Sequence, residues 1–236
     1  MQRTAKKILL KLTGEVFLSP VSRSLDNTVL LNLIHQIKYL QHTHQFGIVI
    51  GGGNFFRGSQ QGATLGISPS VAHQVGMLAT MMNALLIKDL FENNNLPATV
   101  LSAIDCPEVG SAISQQTISA ALDLGKIIIF AGGTGNPFFT TDTTAILRGL
   151  QIQADEIWKG THIDGVYDTD PKKNPSAKLI KHVSYNTALE KKLGIMDATA
   201  FALASTHKKI VRIFSIFEPE ALIQAAQNPD FGSTIE

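Results

Sequence analysis

The chain is poor in cysteine, and that scarcity excludes several classes at once. Cys106 is the only thiol, so there is no internal disulfide framework, and no CxxC or Cys/His zinc spacing occurs. The chain therefore reads as intracellular and cytoplasmic. An excess of one charge is also missing, since 20 Lys and Arg face 19 Asp and Glu for a formal net charge of +1. That balance does not suit a surface built to neutralise a nucleic-acid backbone or an anionic membrane, so neither is expected as a partner. Any anion the protein binds must be held locally. No stretch reaches the roughly 20 uninterrupted apolar residues of a membrane span. The apolar run that starts at Ile8 is broken at Lys11, too short for a signal-peptide core, so a soluble protein is expected.

Two nucleotide-binding fingerprints are missing as well. GxxxxGK[ST] occurs nowhere, and the near matches to GxGxxG fail at Phe56, after Gly51 and Gly53, and at Phe138, after Gly133 and Gly135. P-loop and Rossmann readings lose support. There is no internal repeat, low-complexity tract or obvious linker.

What is present is a recurring apolar run rich in Ile and Val, bounded by glycine and followed by a segment of helical period. The runs are Ile8 to Leu12, Phe46 to Ile50, Ala98 to Leu101, Ile127 to Ala131, Glu156 to Lys159 and Ile210 to Phe214. Nearly continuous apolar strands alternating with helices predict an α/β fold: a mainly parallel central sheet with helices on both faces, an α/β/α sandwich. A length of 236 residues suits one large domain or two small lobes. Asp26 to Thr43 has the spacing of an amphipathic covering helix, with Asp26 placed to cap its start. Ser70 to Glu92 is apolar on most faces, which predicts a central helix or one in a subunit interface, with Met77, Met81 and Met82 as packing residues. A softer boundary falls near Gly149 to Ala154, before a turn-rich stretch from Gly160 to Ala177.

Three glycine-rich turns each follow a predicted strand, where open α/β sheets place their ligands. In Lys11-Leu12-Thr13-Gly14-Glu15 a lysine, a hydroxyl and a glycine come together, and Lys11 could neutralise a transferring phosphoryl group; a solvated strand-end lysine explains the pentapeptide equally well. In Gly51-Gly52-Gly53-Asn54-Phe55-Phe56-Arg57-Gly58 consecutive glycines expose N–H groups as an anion nest, and Arg57 offers a planar fork to phosphate; the alternative is a tight structural turn. The third runs from Gly132 to Asp142 and supplies hydroxyl and amide side chains suited to a base and ribose. Its Asp142 either orients Lys11 or a metal, or simply starts the next helix.

Taken in order, KLTGE, GIVIGGGNFFRG, GMLATMMNALL, AGGTGNPFFTTD, DGVYDTDP and IMD resemble the bacterial uridylate (UMP) kinases of the amino-acid-kinase family, nearly end to end. The resemblance implies ATP-dependent phosphorylation of UMP to UDP in pyrimidine nucleotide synthesis, assisted by Mg²⁺, in a homohexamer. It implies an acceptor-binding lobe over about residues 1–150 and an ATP-binding lobe over about 151–236 of a single domain. ATP would be held by Lys11, Leu12, Thr13, Gly14, Gly53, Arg57, Thr161, Tyr167 and Asp170. UMP would be held by Gly52, His73, Thr134, Gly135, Asn136, Pro137, Phe138, Phe139, Thr140 and Thr141. Lys11 and Arg57 would stabilise charge, with Asp142 and Asp197 as orienting residues; capping the helix that follows Met196 is the other reading of Asp197. No side chain is assigned to a metal.

Three departures accompany the resemblance. His73 stands where the family has an acid that binds the ribose hydroxyls, and a neutral imidazole lacks the two strong acceptors of a carboxylate; a core histidine is the other reading. His162 stands where a lysine is common, which changes the charge near the ATP phosphates. Ser19 to Ser24 has no glycine where the family has a glycine-rich segment tied to activation by GTP, so that regulation is not carried over. The alternatives to a UMP kinase are a related kinase with another acceptor, or a nucleotide-binding relative without turnover.

Overall fold

The computed structural model describes residues 5–19, 25–171, 173–191 and 193–236. The departure expected over Ser19 to Ser24 lies outside the described residues from Pro20 onward. Strand β1 (Lys6–Leu12) leads through a 3-10 turn (Gly14–Phe17) to helix α1 (Thr28–Leu40) and strand β2 (His44–Ile50). Helices α2 (Gly58–Thr64) and α3 (Pro69–Asn93) follow, then β3 (Ala98–Ser102), β4 (Ser111–Ala112), α4 (Gln115–Asp123), β5 (Ile127–Ala131), α5 (Thr141–Gln151) and β6 (Glu156–Thr161). The remainder holds β7 (Val166–Tyr167), β8 (Leu179–Ile180), β9 (His182–Val183), α6 (Tyr185–Glu190), α7 (Ala198–Thr206), β10 (Ile210–Ser215), α8 (Ala221–Gln227) and β11 (Ser233–Ile235).

Nine strands form one sheet in the order β4-β3-β5-β2-β1-β6-β10-β11-β9, and β7 and β8 make a separate antiparallel hairpin. Within the large sheet only the β10–β11 pair is antiparallel. Each of the six apolar runs read from the sequence is a strand of this sheet, lengthened by up to two residues at either end where a neighbour supplies ladder partners. The sheet is continuous across residues 149–154, because β1 pairs with β2 on one side and with β6 on the other.

The alternation of β1 divides the core in two. Ile8, Leu10 and Leu12 join Leu33 and Ile37 of α1, Ile87 and Phe91 of α3 and Leu222 of α8 on one face. Leu9 joins Val49, Phe130, Ile146 of α5, Ile157 and Phe201 of α7 on the other. Truncating a fully buried leucine such as Leu10 to alanine costs about 2–5 kcal/mol through lost transfer energy and the cavity left behind. The aromatic centre of the first face is Trp158, edge-on to Phe46 and Phe214 with centroids 6.2 and 5.9 Å away.

Helix α1 is capped at Asn27 rather than Asp26, although Asp26 Oδ1 still accepts the Thr28 N–H at 2.7 Å and so satisfies one of the free donors of the first turn. Helix α3 starts on the Ser68 cap, with Pro69 preorganising its first position. It is the one helix, among the described residues, long and apolar enough to cross a membrane; Ala79, Ala84, Ile87 and Phe91 seat it on the sheet as a core helix. The three methionines part company. Met81 is buried, Met77 borders a cavity of the site, and Met82 is exposed beside Leu78, Leu85 and Leu86 on an apolar outer face.

Candidate active site

The sheet register brings two lysines together. Lys11 and Lys159 are direct partners near the carboxyl ends of β1 and β6, and both face α5. There Asp142, in the first turn of α5, takes Lys159 Nζ on Oδ2 at 2.6 Å and stands 3.2 Å from Lys11 Nζ through Oδ1. Lys159 also donates to the Ile195 carbonyl at 2.6 Å. Burial pushes the Asp142 carboxyl up, but the two ammoniums outweigh it and hold it below the ordinary range. Burial lowers Lys159 in turn; Asp142 opposes that shift and the Lys11 charge adds to it. A carboxylate between two like charges is what lets both lysines stay in one place.

Asp197 caps a helix and also reaches across to α5. It is the N-cap of α7, with Oδ1 accepting from the Thr199 and Ala200 N–H groups at 3.0 Å. The same carboxylate accepts from the hydroxyls of Thr140 and Thr143, which ties α7 to the start of α5 and so to Asp142. Burial opposes its ionised form, but these donors prevail and hold the carboxyl below its ordinary value.

The glycine turns are set by close approach and by handedness. A Cβ on Gly14 would sit 2.7 Å from the Gly51 carbonyl, so the turns after β1 and β2 touch backbone to backbone. Leu12 is buried just before this contact, and Thr13 caps the 3-10 turn by accepting the Glu15 N–H. Gly52 is pressed on α3, where a Cβ would lie 2.7 Å from that of Ala79. Asn83, fully buried in α3, locks this region: its Nδ2 donates to the Gly51 carbonyl and to Asn54 Oδ1, both at 2.7 Å, and Asn54 returns the bond at 3.0 Å. In the third turn Gly132, Gly133 and Gly135 have φ of 72, 61 and 85°, a run that only glycine adopts at low cost. Thr80 Oγ1 accepts the Gly132 N–H at 3.0 Å, and buried Arg148 donates to the Gly133 carbonyl at 2.9 Å. Burial pushes the Arg148 guanidinium down to about 10.

Two cavities lie near the cluster, one lined by Lys159 itself and the other by Thr141, the chain neighbour of Asp142. One, of about 530 Å³, is lined by Lys159, Thr161, Tyr167 and Asp170 together with Gly194 and Ile195. Tyr167 donates to Asp164 at 2.7 Å on its rim. The other is shallow, about 50 Å³, and is lined by Met77, Thr134, Asn136, Phe139, Thr140 and Thr141, with Gly135 and Pro137 inside the same loop. Neither cavity has Arg57 or His73 on its wall. His73 packs on Phe138, centroids 5.1 Å apart, and Phe138 holds a φ of 71° with its ring exposed. Arg57 donates through Nε to the Gly53 carbonyl at 3.2 Å and pairs with Glu15 Oε1. The second oxygen of Glu15 meets His162 Nε2 at 2.8 Å, and that imidazole stacks on Phe217 at 4.4 Å.

Lys159, Asn83, Thr80, Glu15 and Arg148 carry no site role in the reading of the sequence, although Glu15 stands in the first glycine turn and Lys159 ends an apolar run. Lys159 had the same signal as Lys11, a charge at the carboxyl end of an apolar strand, and Asn83 is a lone amide in an apolar helix. The other three become visible only through tertiary contacts.

No group of three His, Cys, Asp or Glu side chains among the described residues could hold a metal ion, and both Asp142 oxygens already face ammonium groups.

The amino acid kinase family pattern matches residues 6–215. The uridylate kinase of Coxiella burnetii (strain RSA 493 / Nine Mile phase I) is 43% identical over 232 residues, covering 98% of this chain and 95% of that protein. The uridylate kinase of Psychromonas ingrahamii is likewise 43% identical, over 98% and 93%. Among solved structures, the UMP kinase from Ureaplasma parvum superposes with a TM-score of 0.94 at 32% identity, covering 99% of both chains. That from Bacillus anthracis gives 0.93 at 30% identity, covering 99% of this chain and 97% of the other. With the parallel sheet, the paired lysines and the three glycine turns in place, the chain belongs to the amino acid kinase family and groups there with the uridylate kinases.

Proposed function

We propose that this protein transfers the γ-phosphoryl group of ATP to UMP, giving UDP and ADP. The observation that carries the proposal is the Lys11–Asp142–Lys159 cluster at the carboxyl ends of parallel strands, beside a cavity lined by Lys159, in a chain similar to uridylate kinases over nearly its whole length. ATP takes the larger cavity, in the lobe of about residues 151–236, with Tyr167 against the adenine and Asp170 accepting from the ribose. UMP takes the loop from Thr134 to Thr141, and its phosphate lies on the Gly52 and Gly53 turn within reach of Arg57, in the lobe of about residues 1–150.

The acceptor is already an oxyanion, so no general base is required. An oxygen of the UMP phosphate attacks the γ-phosphorus, the bond to the β-phosphate oxygen breaks, and ADP departs with the electron pair. Lys11 and Lys159 neutralise the equatorial oxygens as charge develops. Asp142 holds the two ammoniums at fixed separation, and Asp197 fixes the start of α5 that carries it. Mg²⁺, bound together with the nucleotide, would supply further neutralisation of phosphate charge.

We place the enzyme in the cytoplasm as a homohexamer, supported by the exposed apolar face of α3 at Val71, Leu78, Met82 and Leu85, which suits burial against another copy. The deciding experiment is a coupled assay of ADP release with UMP, CMP, dUMP and small carboxylates as acceptors. Turnover is expected with UMP; none with any acceptor would sink the enzyme reading, and preference for a carboxylate would transfer the chain to another branch of the family.

A further inference from the structure

Arg57 is the most exposed charged group assigned to the phosphates, its side chain 43% accessible, on a turn at the head of a short helix. A guanidinium on a flexible stem in water carries considerable rotamer entropy, and affinity for phosphate depends on how much of it is removed beforehand. In this chain it is removed from two sides. The Gly53 carbonyl takes Nε, and Glu15 takes one terminal nitrogen, which leaves further N–H donors of the fork directed outward.

Glu15 is itself held. It follows Gly14 in the 3-10 turn after β1, its side chain is only 15% accessible, and its second oxygen is occupied by His162. His162 follows the last residue of β6, and Thr161 and Ile163 on either side of it line the ATP cavity. One carboxylate thus spans from the acceptor-phosphate turn to the rim of the donor cavity. His162 touches this carboxylate through Nε2 and the Phe217 ring through its face, with Arg57 on the far side of Glu15.

Resting on the reading of Arg57 as a phosphate ligand, we propose that Glu15 is a positioning residue which, clamped by His162, aims Arg57 at the acceptor phosphate. No atom of Glu15 or His162 enters the reaction. Losing the Glu15 charge frees the guanidinium, and losing the His162 ring loosens the carboxylate that holds it.

The test uses the full chain with UMP and ATP. Glu15→Gln, nearly isosteric, should raise the KM for UMP about tenfold with kcat changed less than about twofold. His162→Gln, which removes the ring contact behind the carboxylate, should raise the KM for UMP about two- to fivefold at neutral pH, again with kcat little changed. Circular dichroism and melting temperature identify a Glu15→Gln protein that has not folded, and the exposed His162→Gln substitution then decides alone. An unchanged KM in a folded Glu15→Gln, or in His162→Gln, overturns the proposal while leaving UMP kinase activity intact. Absence of turnover in the parent protein would instead count against the functional reading beneath it.

Discussion

The molecule contains two charge clusters of similar make-up and opposite character. Lys11, Asp142 and Lys159 sit on adjacent central strands and the first turn of a helix, with side chains 15–18% accessible. Arg57, Glu15 and His162 sit on three turns, and two of the three are more than 40% accessible. The first has its geometry imposed by sheet register, so it costs desolvation and gives a fixed field. The second is assembled from loops, so it is cheap and adjustable. Chemistry that needs preorganised charge belongs in the first, and capture of a mobile ligand suits the second.

That contrast breaks most readily in kinetics. Lys11→Met should lower kcat about 10²–10³-fold with modest change in either KM, because the charge it supplies matters most as the phosphoryl group transfers. Arg57→Ala should instead raise the KM for UMP about 10- to 100-fold, the range for a charge-assisted contact, with kcat less affected. Steady-state titrations of both nucleotides separate the two, and the reverse pattern would mean that their roles are exchanged.

A third prediction concerns stability. Removing the charge of Asp142 by Asn leaves two lysines facing each other and should cost about 2–4 kcal/mol near neutral pH, a fall of roughly 4–16 °C in melting temperature for a chain of this size. The folded carboxyl titrates below its unfolded value, so this contribution is fully present above about pH 4 and is lost as pH falls through the folded pKa. The melting difference between the parent protein and Asp142→Asn should therefore shrink on acidification; a constant gap down to about pH 2 would show that the carboxylate charge is not what stabilises the site. The smallest effect is expected at Tyr167→Phe, which removes only an exposed hydroxyl contact to Asp164 and should leave the KM for ATP within about twofold.

Most of the fold was legible because parallel strands buried on both faces leave nearly unbroken apolar runs, and the sheet kept each of them. Lys11, Gly52 and Asp142 could be read locally, since each stands at a strand end, in a glycine turn or at a helix start. Lys159 could not be matched to Lys11 without knowing that β6 lies beside β1, a fact of register across about 150 residues of chain. Glu15 and His162 were illegible as partners for the same reason, although His162 had already drawn notice as an unusual residue. Asn83 required the converse, a contact between a helix and the underside of a turn that no periodicity encodes.

Lys159 carries one more consequence. Its ammonium is kept easier to deprotonate than a free lysine by burial and by Lys11. An arriving polyphosphate supplies the opposite influence and draws a proton back onto it, so nucleotide binding on the alkaline side should be accompanied by proton uptake from the medium. The heat of binding would then vary with the ionisation enthalpy of the buffer, making a calorimeter a direct counter of the site's protons.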